Sequence, residues 1–330
     1  MNSMENEELL QCMVFAGPNG SGKSSLINEV KSSGLTAVNG IYVLPEHFIN
    51  PDEIARQLPG VYPDQAARDR AAQVAAVQAR RDALESQRPF AYETVMSHPS
   101  RMAELRLLKE KGYHVVLTFI TTENPDINVR RVNFRYESKT TTGHHVPEDK
   151  VRERYERTMA LLPKAVELSD AVFVFDNSKD QSRPALQVII EDGEVLKAAE
   201  MKPWVQERLL APIAQRQADY DGMVQAVESS NSADTANELD GYYRGKLIYI
   251  SPHYLLQWDA EKKVAVIHDR LLLDTDLATH GDKPPVYRLQ EDISINYAIG
   301  HAPVVVRDDR QQEQGKDNEA DGSVSEIERA

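Results

Sequence analysis

A glycine-rich run near the start of the chain has residue types and a spacing that indicate phosphate chemistry. It consists of Gly17, Pro18, Asn19, Gly20, Ser21, Gly22, Lys23 and Ser24, followed by Ser25. The run fits the pattern G-x-x-x-x-G-K-[ST] of a phosphate-binding loop, or P-loop. Its glycines let the backbone approach phosphate oxygens closely. We expect Lys23 to reach the β- and γ-phosphates of ATP and the Ser24 hydroxyl to hold Mg²⁺.

Two carboxylates beyond this loop are candidates for phosphoryl transfer. Asp52, in the segment FINPDEIA, could accept the proton of an attacking hydroxyl, or it could merely cap a helix that starts at Glu53. Glu93 ends a predicted strand, where ligands of parallel sheets gather, so it could bind metal or substrate; a surface glutamate is the alternative. The residues leave both pairs of interpretations open.

A cluster of arginines could supply the fixed positive charge that a migrating phosphoryl group needs. Its members are Arg130, Arg131, Arg135, Arg152, Arg154 and Arg157. We expect most of them to form surface ion pairs, and about two to enter the site.

Alternating strands and long helices must position these residues. Short apolar runs predict strands at 11–16, 89–92, 114–120, 171–175 and 185–190, and helical spacing predicts helices at 24–32, 64–87, 99–111, 129–137 and 148–168. Such alternation implies an α/β fold with a parallel sheet and crossover helices; together with the P-loop it predicts the three-layer fold of P-loop NTPases and kinases.

The flanking segments have different compositions. We predict an N-terminal tail at 1–10, the kinase-type domain at 11–200, a helical extension at 201–227, a polar linker at 228–240, a small β-rich domain at 241–306 and a disordered tail at 307–330. Within the β-rich domain, His268, Asp269 and Arg270 are expected to form a capped turn rather than a site.

Composition excludes several classes of protein. The net charge of −14 argues against a surface that binds nucleic acid over its whole area, but it is compatible with a local basic cleft. The single cysteine, Cys12, cannot form an internal disulfide and is expected to be a buried strand residue. No apolar run is long enough for a membrane span and the first ten residues do not resemble a leader peptide, so we expect a cytoplasmic protein.

Five segments in order resemble the short branch of the zeta-toxin family of P-loop kinases. They are GPNGSGKSS, FINPDEIA, FAYETV, GHHVPEDKVRERY and FVFDNS, and the resemblance covers about Met13 to Val195. The family transfers the γ-phosphate of ATP to a sugar hydroxyl, which in characterised toxins belongs to UDP-N-acetylglucosamine. The resemblance therefore implies ATP and Mg²⁺ as cofactors, a small-molecule hydroxyl acceptor, and a small helical antitoxin as a partner.

The resemblance also implies roles for individual residues. Lys23 matches the P-loop lysine, Asp52 the catalytic base, and Arg131 an arginine that grips phosphate. Glu93 is similar to the acid of the family's E-G-T segment, which is E-T-V here, so Thr94 directly follows the acid. Asp176 and Asn177 fall on the family's adenine-side loop.

One departure affects the arginines. His144 stands where the family has its second catalytic arginine, so either Arg154 or Arg157 would replace that arginine, and His144 would contact the lid or the substrate. The C-terminal segment from Tyr242 to Val306 resembles the KfrB-type domain of plasmid-encoded proteins.

Two functions are therefore compatible with the sequence. The first is a kinase that phosphorylates a nucleotide sugar or related acceptor, as the toxin of a toxin–antitoxin pair. The second is a plasmid-maintenance or DNA-transfer accessory protein that uses ATP binding as a switch. Asp52 discriminates between them, because a switch does not need a base that faces an acceptor hydroxyl.

Overall fold

The computed structural model describes residues 9–138, 146–198, 200–228, 233–274 and 286–307. The chain divides into two units, residues 1–214 and 215–330. His144 and nearly all of both predicted tails lie outside the described residues. Within the described ranges, none of the helices combines the length and the apolar character that crossing a membrane requires.

A seven-stranded sheet forms the centre of the first unit. Its strands are β1 Gln11–Ala16, β4 Phe48–Ile49, β5 Phe90–Thr94, β6 His114–Thr121, β7 Ala171–Asp176, β8 Ala185–Glu191 and β9 Glu194–Lys197. Two further strands, β2 Leu35–Thr36 and β3 Ile41–Tyr42, form a separate small sheet. The order is β4-β5-β1-β6-β7-β8-β9, parallel from β4 to β7 and antiparallel beyond. The predicted α/β fold with a largely parallel sheet is confirmed.

Helices connect the parallel strands. They are α1 Lys23–Ser33, α2 Pro51–Gln57, α3 Gln65–Glu85, α4 Ser100–Glu110, α5 Pro125–Glu137 and α6 Glu148–Glu167. All six residues of β1 are buried, as expected for a central parallel strand whose two faces are covered. Cys12 is among them, and burial raises the pKa of its thiol well above the usual value.

Three short strands and one hairpin were not predicted from the sequence. The segment between α1 and α2 contains β2, β3 and β4, each only two residues long. The hairpin of β8 and β9 turns at Asp192 and Gly193, both at positive φ (51° and 78°). That conformation favours an Asp-Gly pair, so the turn was readable from the sequence.

The predicted helical extension exists and crosses the division between the units. It consists of α7 Pro203–Val205, a π-helical turn Gln206–Leu210 and α8 Ala211–Glu228. In the first unit, Trp204, Val205 and Leu209 are buried. In the second unit, Met223 and Val227 of α8 pack against Tyr254, Leu256, Ala265 and Ile267 of the β-sheet.

The second unit contains the β-rich sheet that the sequence predicted. Its strands are β10 Ala233–Thr235, β11 Asp240–Ile250, β12 Tyr254–Asp259, β13 Val264–Asp269, β14 Asp292–Ala298 and β15 Val304–Arg307, with a short helix α9 Arg270–Asp274. The sheet order is β10-β13-β12-β11-β14-β15. Part of the predicted linker belongs to this unit, since β10 pairs with β13 and both Ala236 and Leu239 are buried. The proposed domain limits remain a prediction.

Several buried polar side chains of the second unit are paired. Asp269 accepts from the N–H of Leu271 and forms a buried ion pair with Arg216 of α8, 2.7 Å apart. His268 is fully buried between the Tyr297 hydroxyl (3.0 Å) and Oε1 of Gln257 (3.1 Å). Asp269 therefore lies directly before α9 and accepts from its first turn, and both Asp269 and His268 are buried.

Candidate functional site

The P-loop begins where β1 ends, at the carboxyl edge of the parallel strands. The chain passes from β1 to β4 and β5 on one side and then to β6 on the other, so the strand order reverses around β1. Ligands of open α/β sheets bind in the crevice at such a reversal. Gly17, Gly20 and Gly22 have φ values of 153°, 78° and 101°, which glycine adopts without strain.

Lys23 lies in the middle of a group of charges. Its Nζ donates to the carbonyl oxygens of Gly17 (2.9 Å) and Pro18 (3.2 Å). Burial lowers the pKa of its ammonium group, an effect that the negative charges of Glu93 and Asp52 oppose and the positive charge of Arg135 reinforces. These four side chains, from β5, α1, α2 and α5, therefore converge on one site.

The loop fits a phosphate ligand and its metal. The Oγ of Ser21 and the Oδ1 of Asn19 are buried and find no hydrogen-bond partner among the described residues. The side chains of Ser24 and Ser25 are exposed at the start of α1. Mg²⁺ commonly takes one or two protein oxygens together with phosphate and water, so Ser24 and Glu93 could hold it. The described part of the chain has no cluster of three metal-ligating side chains that could bind an ion unaided.

Asp52 is not the cap of its helix. Helix α2 begins at Pro51, and the Oδ1 of Asn50 accepts from the N–H of Asp52 at 2.8 Å. The capping alternative for Asp52 is therefore wrong, because Asn50 has that role. The Asp52 carboxylate is exposed and accepts no hydrogen bond within the described residues, so it is available to a ligand.

Glu93 and Thr94 lie beside the P-loop in register. Phe15 pairs with Glu93 and Ala16 with Thr94, and the N–H of Gly17 donates to the Thr94 carbonyl at 3.3 Å. The Thr94 hydroxyl accepts from the N–H of Met96 at 3.1 Å, and Met96 has a φ of 56°. A bulky residue in this conformation is strained, and such strain is common at functional sites.

The three arginines of α6 differ in whether they form ion pairs. Arg152 pairs with Asp126 (2.5 Å) and Glu148 (2.8 Å), and Arg157 pairs with Glu153 at 2.6 Å. The sequence predicted ion pairs of this kind for most of the arginines, without naming Asp126 of α5 as a partner. Arg154 is half-buried and has no ion-pair partner in the part of the chain that the structure describes. Of the two candidates on α6, Arg154 is thus the one left available for a phosphate.

The adenine-side residues are held by neighbours. The Asp176 carboxylate accepts from the Ser178 hydroxyl (2.8 Å) and from the indole N–H of Trp204 (2.9 Å). Arg131 donates to the Asn177 carbonyl (2.8 Å) and pairs with Asp180 (2.7 Å). The site residues remain predictions in their catalytic roles, and Arg131 in this structure fixes the loop after β7.

Comparison with known proteins decides the family. The zeta toxin family model matches residues 6–182, which is more than half of the chain. The chain belongs to the zeta toxin family. Residues 242–306 match the KfrB domain, within the second unit.

Relatives of this zeta toxin family member share parts of the chain. An uncharacterised protein of Haemophilus influenzae is 30% identical over 152 residues, covering 46% of this chain and 94% of the relative. The solved complex of AvrRxo1-ORF1 and AvrRxo1-ORF2 with sulphate ions is similar at a TM-score of 0.46 and 13% identity, covering 62% of this chain and 64% of that one. The PezAT toxin–antitoxin system of Streptococcus pneumoniae has a TM-score of 0.42 at 15% identity, covering 67% and 88%.

For this zeta toxin family member the sequence did not single out two residues beside the loop: Asn128 belonged to none of the motifs, and Arg135 was only one of the six clustered arginines. Asn128 of α5 is fully buried and donates to the Asn19 carbonyl, and Arg135 lowers the pKa of Lys23. Asn128, Val132 and Arg135 recur at helical spacing on one face of α5. That spacing was visible in the sequence, but nothing in it indicated which element the face would cover.

Proposed function

We propose that this protein is an ATP-dependent kinase that transfers the γ-phosphate to a hydroxyl of a small molecule. The observation that carries the proposal is the convergence of Lys23, Glu93 and Asp52 at the carboxyl edge of the sheet. A buried cation, a metal-binding carboxylate and an exposed carboxylate are the groups that phosphoryl transfer requires. The membership in the zeta toxin family supports the same reaction.

Each residue has a distinct task in this mechanism. Lys23 exchanges its carbonyl partners for the β- and γ-phosphate oxygens, and Asp52 accepts the proton of the acceptor hydroxyl. The hydroxyl oxygen attacks the γ-phosphorus, whose bond to the bridging oxygen breaks, and ADP leaves with the electron pair of that bond. Glu93 and Ser24 would hold Mg²⁺, which neutralises phosphate charge. Arg154 donates to the migrating phosphoryl group, whose charge is spread over three oxygens.

We further propose a nucleotide sugar such as UDP-N-acetylglucosamine as the acceptor, a cytoplasmic location and a small helical antitoxin as partner. The family membership supports these assignments. A nucleotide-controlled accessory function in plasmid maintenance or DNA transfer is the alternative, which the KfrB match favours. Asp52 argues for the kinase, because its exposed carboxylate has no capping role.

The test is to incubate the full chain with γ-labelled ATP, Mg²⁺ and a panel of nucleotide sugars. We expect one labelled sugar product from the wild type and none from Lys23→Ala, with Lys197→Ala as the control because Lys197 is exposed on the edge strand β9. Product formation by Lys23→Ala at the wild-type rate would refute the assigned role of the loop. ATP binding without transfer to any hydroxyl acceptor would favour the switch instead.

A further inference from the structure

Two asparagine side chains from outside the P-loop hold its carbonyl groups. The Nδ2 of Asn128, on α5, donates to the carbonyl of Asn19 at 2.7 Å. The Nδ2 of Asn177, after β7, donates to the carbonyl of Ser21 at 2.8 Å. The two amides thus bind alternate peptide groups of the same loop.

The glycines of the loop make room for these neighbours. A Cβ atom on Gly20 would lie 2.7 Å from the backbone oxygen of Asn128, and one on Gly22 would lie 2.2 Å from the Nδ2 of Asn177. Both distances are too short for real atoms. Gly20 and Gly22 are therefore required by the close approach of the two asparagines as well as by their own positive φ values.

Neighbouring groups position both amides. The Asn19 carbonyl can only accept, so the Nδ2 of Asn128 faces it and the Oδ1 of Asn128 accepts from the hydroxyl of Thr122. Asn177 is held through its backbone, whose N–H donates to Thr121 (2.8 Å) and whose carbonyl accepts from Arg131 (2.8 Å). Turning the Asn128 side chain away would break both of its hydrogen bonds, and turning that of Asn177 would break its bond to the Ser21 carbonyl.

The consequence follows from the planarity of the peptide group. In a trans peptide the carbonyl of one residue and the N–H of the next point in opposite directions. Holding the carbonyls of Asn19 and Ser21 outward therefore aims the N–H groups of Gly20 and Gly22 at the opposite side of the loop. Convergent backbone N–H groups are what an anion-binding nest requires.

We propose that Asn128 and Asn177 are positioning residues that pre-organise the P-loop for polyphosphate. This inference rests on the ATP-binding function proposed above. The asparagines touch no phosphate themselves. They act on the loop's N–H groups, so their loss should weaken binding of the phosphate chain, whether or not a base and sugar are attached.

The experiment measures the binding of inorganic tripolyphosphate to the full-length protein by calorimetry. We expect Asn128→Ala and Asn177→Ala each to weaken the affinity about tenfold, since each leaves one loop carbonyl without its partner. The matched control is Asn124→Ala, which removes the cap of the same helix α5, where Asn124 accepts from the N–H of Asp126 at 2.7 Å. The control should lower thermal stability and leave the affinity unchanged.

A second variant separates positioning from simple packing. Asn128→Asp places a carboxylate against the Asn19 carbonyl at neutral pH, but its protonated form can donate to that carbonyl. Burial raises the pKa of such a carboxyl group, so its affinity relative to the wild type should recover as the pH falls from about 8 to about 6. A purely structural lesion would show no such recovery.

The outcomes are distinguishable. If the wild type binds tripolyphosphate and both alanine variants bind it as tightly as Asn124→Ala does, the positioning role is wrong while the kinase proposal stands. If the wild type does not bind tripolyphosphate or ATP, both proposals fail. Because Asn128 and Asn177 lie on different elements, unfolding of one variant leaves the other to decide the question.

Discussion

Acid should destabilise the second unit through one buried histidine. The Nε2 of Gln257 donates to the carbonyls of Gly245 (3.0 Å) and Ile293 (2.8 Å), so its Oε1 must accept from His268. The other ring nitrogen of His268 then accepts from the Tyr297 hydroxyl. The ring is thus neutral with both nitrogens satisfied, and burial lowers its pKa from 6.5 to about 3.

The sign and size of the effect follow from proton linkage. Between pH 6.5 and pH 3 the unfolded chain binds a proton at His268 that the folded chain does not. The contribution of neutral His268 to the free energy of unfolding is therefore fully present above pH 6.5 and is lost as the pH falls from 6.5 to about 3. At about 1.4 kcal/mol for each pH unit, the total loss is about 5 kcal/mol. A domain has only about 5–15 kcal/mol of stability, so the second unit should lose a large part of its free energy of unfolding by about pH 3.

The assay is urea unfolding at a series of pH values, followed by the fluorescence of Trp258 in the second unit. Trp204→Phe removes the other tryptophan of the chain, leaving Trp258 as the sole reporter. His268→Gln keeps a donor and an acceptor but cannot titrate in this range. We expect the variant to be less stable at neutral pH and to lose less stability between pH 6.5 and pH 4. Equal slopes of unfolding free energy against pH in the two proteins would refute the reasoning.

Three further predictions concern the kinase unit. Asp52→Asn should leave ATP binding intact and lower the transfer rate about 10²–10⁴-fold, measured by product formation; a change below about twofold would contradict its role as base. Arg154→Ala should lower turnover at least about a hundredfold, whereas Arg157→Ala, which breaks a helix-surface pair with Glu153, should cost far less. Equal losses in the two variants would contradict the distinction. A fragment ending at Ala214 should bind ATP as the full chain does, while one ending at Ser232 should self-associate in gel filtration because α8 would expose Met223 and Val227.

The sequence was most informative where a pattern is local. The run from Gly17 to Ser24 predicted the loop, and the apolar runs predicted β1, β6 and β7, because side-chain burial in a parallel strand leaves a continuous signature. The position of Glu93 near the end of a strand, one residue before the last of β5, also followed from local order. These features depend on neighbours in the chain, which a sequence displays directly.

The sequence was least informative where a contact joins distant segments. Nothing in the chain order indicates that Asn128 reaches Asn19, or that Trp204 reaches Asp176. The choice between Arg154 and Arg157, by contrast, was visible locally: Arg157 has Glu153 four residues before it, whereas Arg154 has no acidic residue three or four positions away. The sequence left a capping role open for Asp52, because Asp is as good a capping residue as Asn, and only the structure shows that Asn50 has that role.

The ion pair between Arg216 and Asp269 determines the shortest segment that could be transferred to another protein and still fold as this β-rich unit. A recombination event that fused only the sequence of residues 242–306, the part that matches the KfrB domain, to another protein would leave out helix α8 with Arg216. The recipient protein would contain a buried carboxylate with no counter-ion and a sheet without the cover of Met223 and Val227. Breaking a buried pair in this way costs about 3–5 kcal/mol. Natural fusions that carry this domain in a folded form should therefore include the preceding helix, or an equivalent arginine from another source.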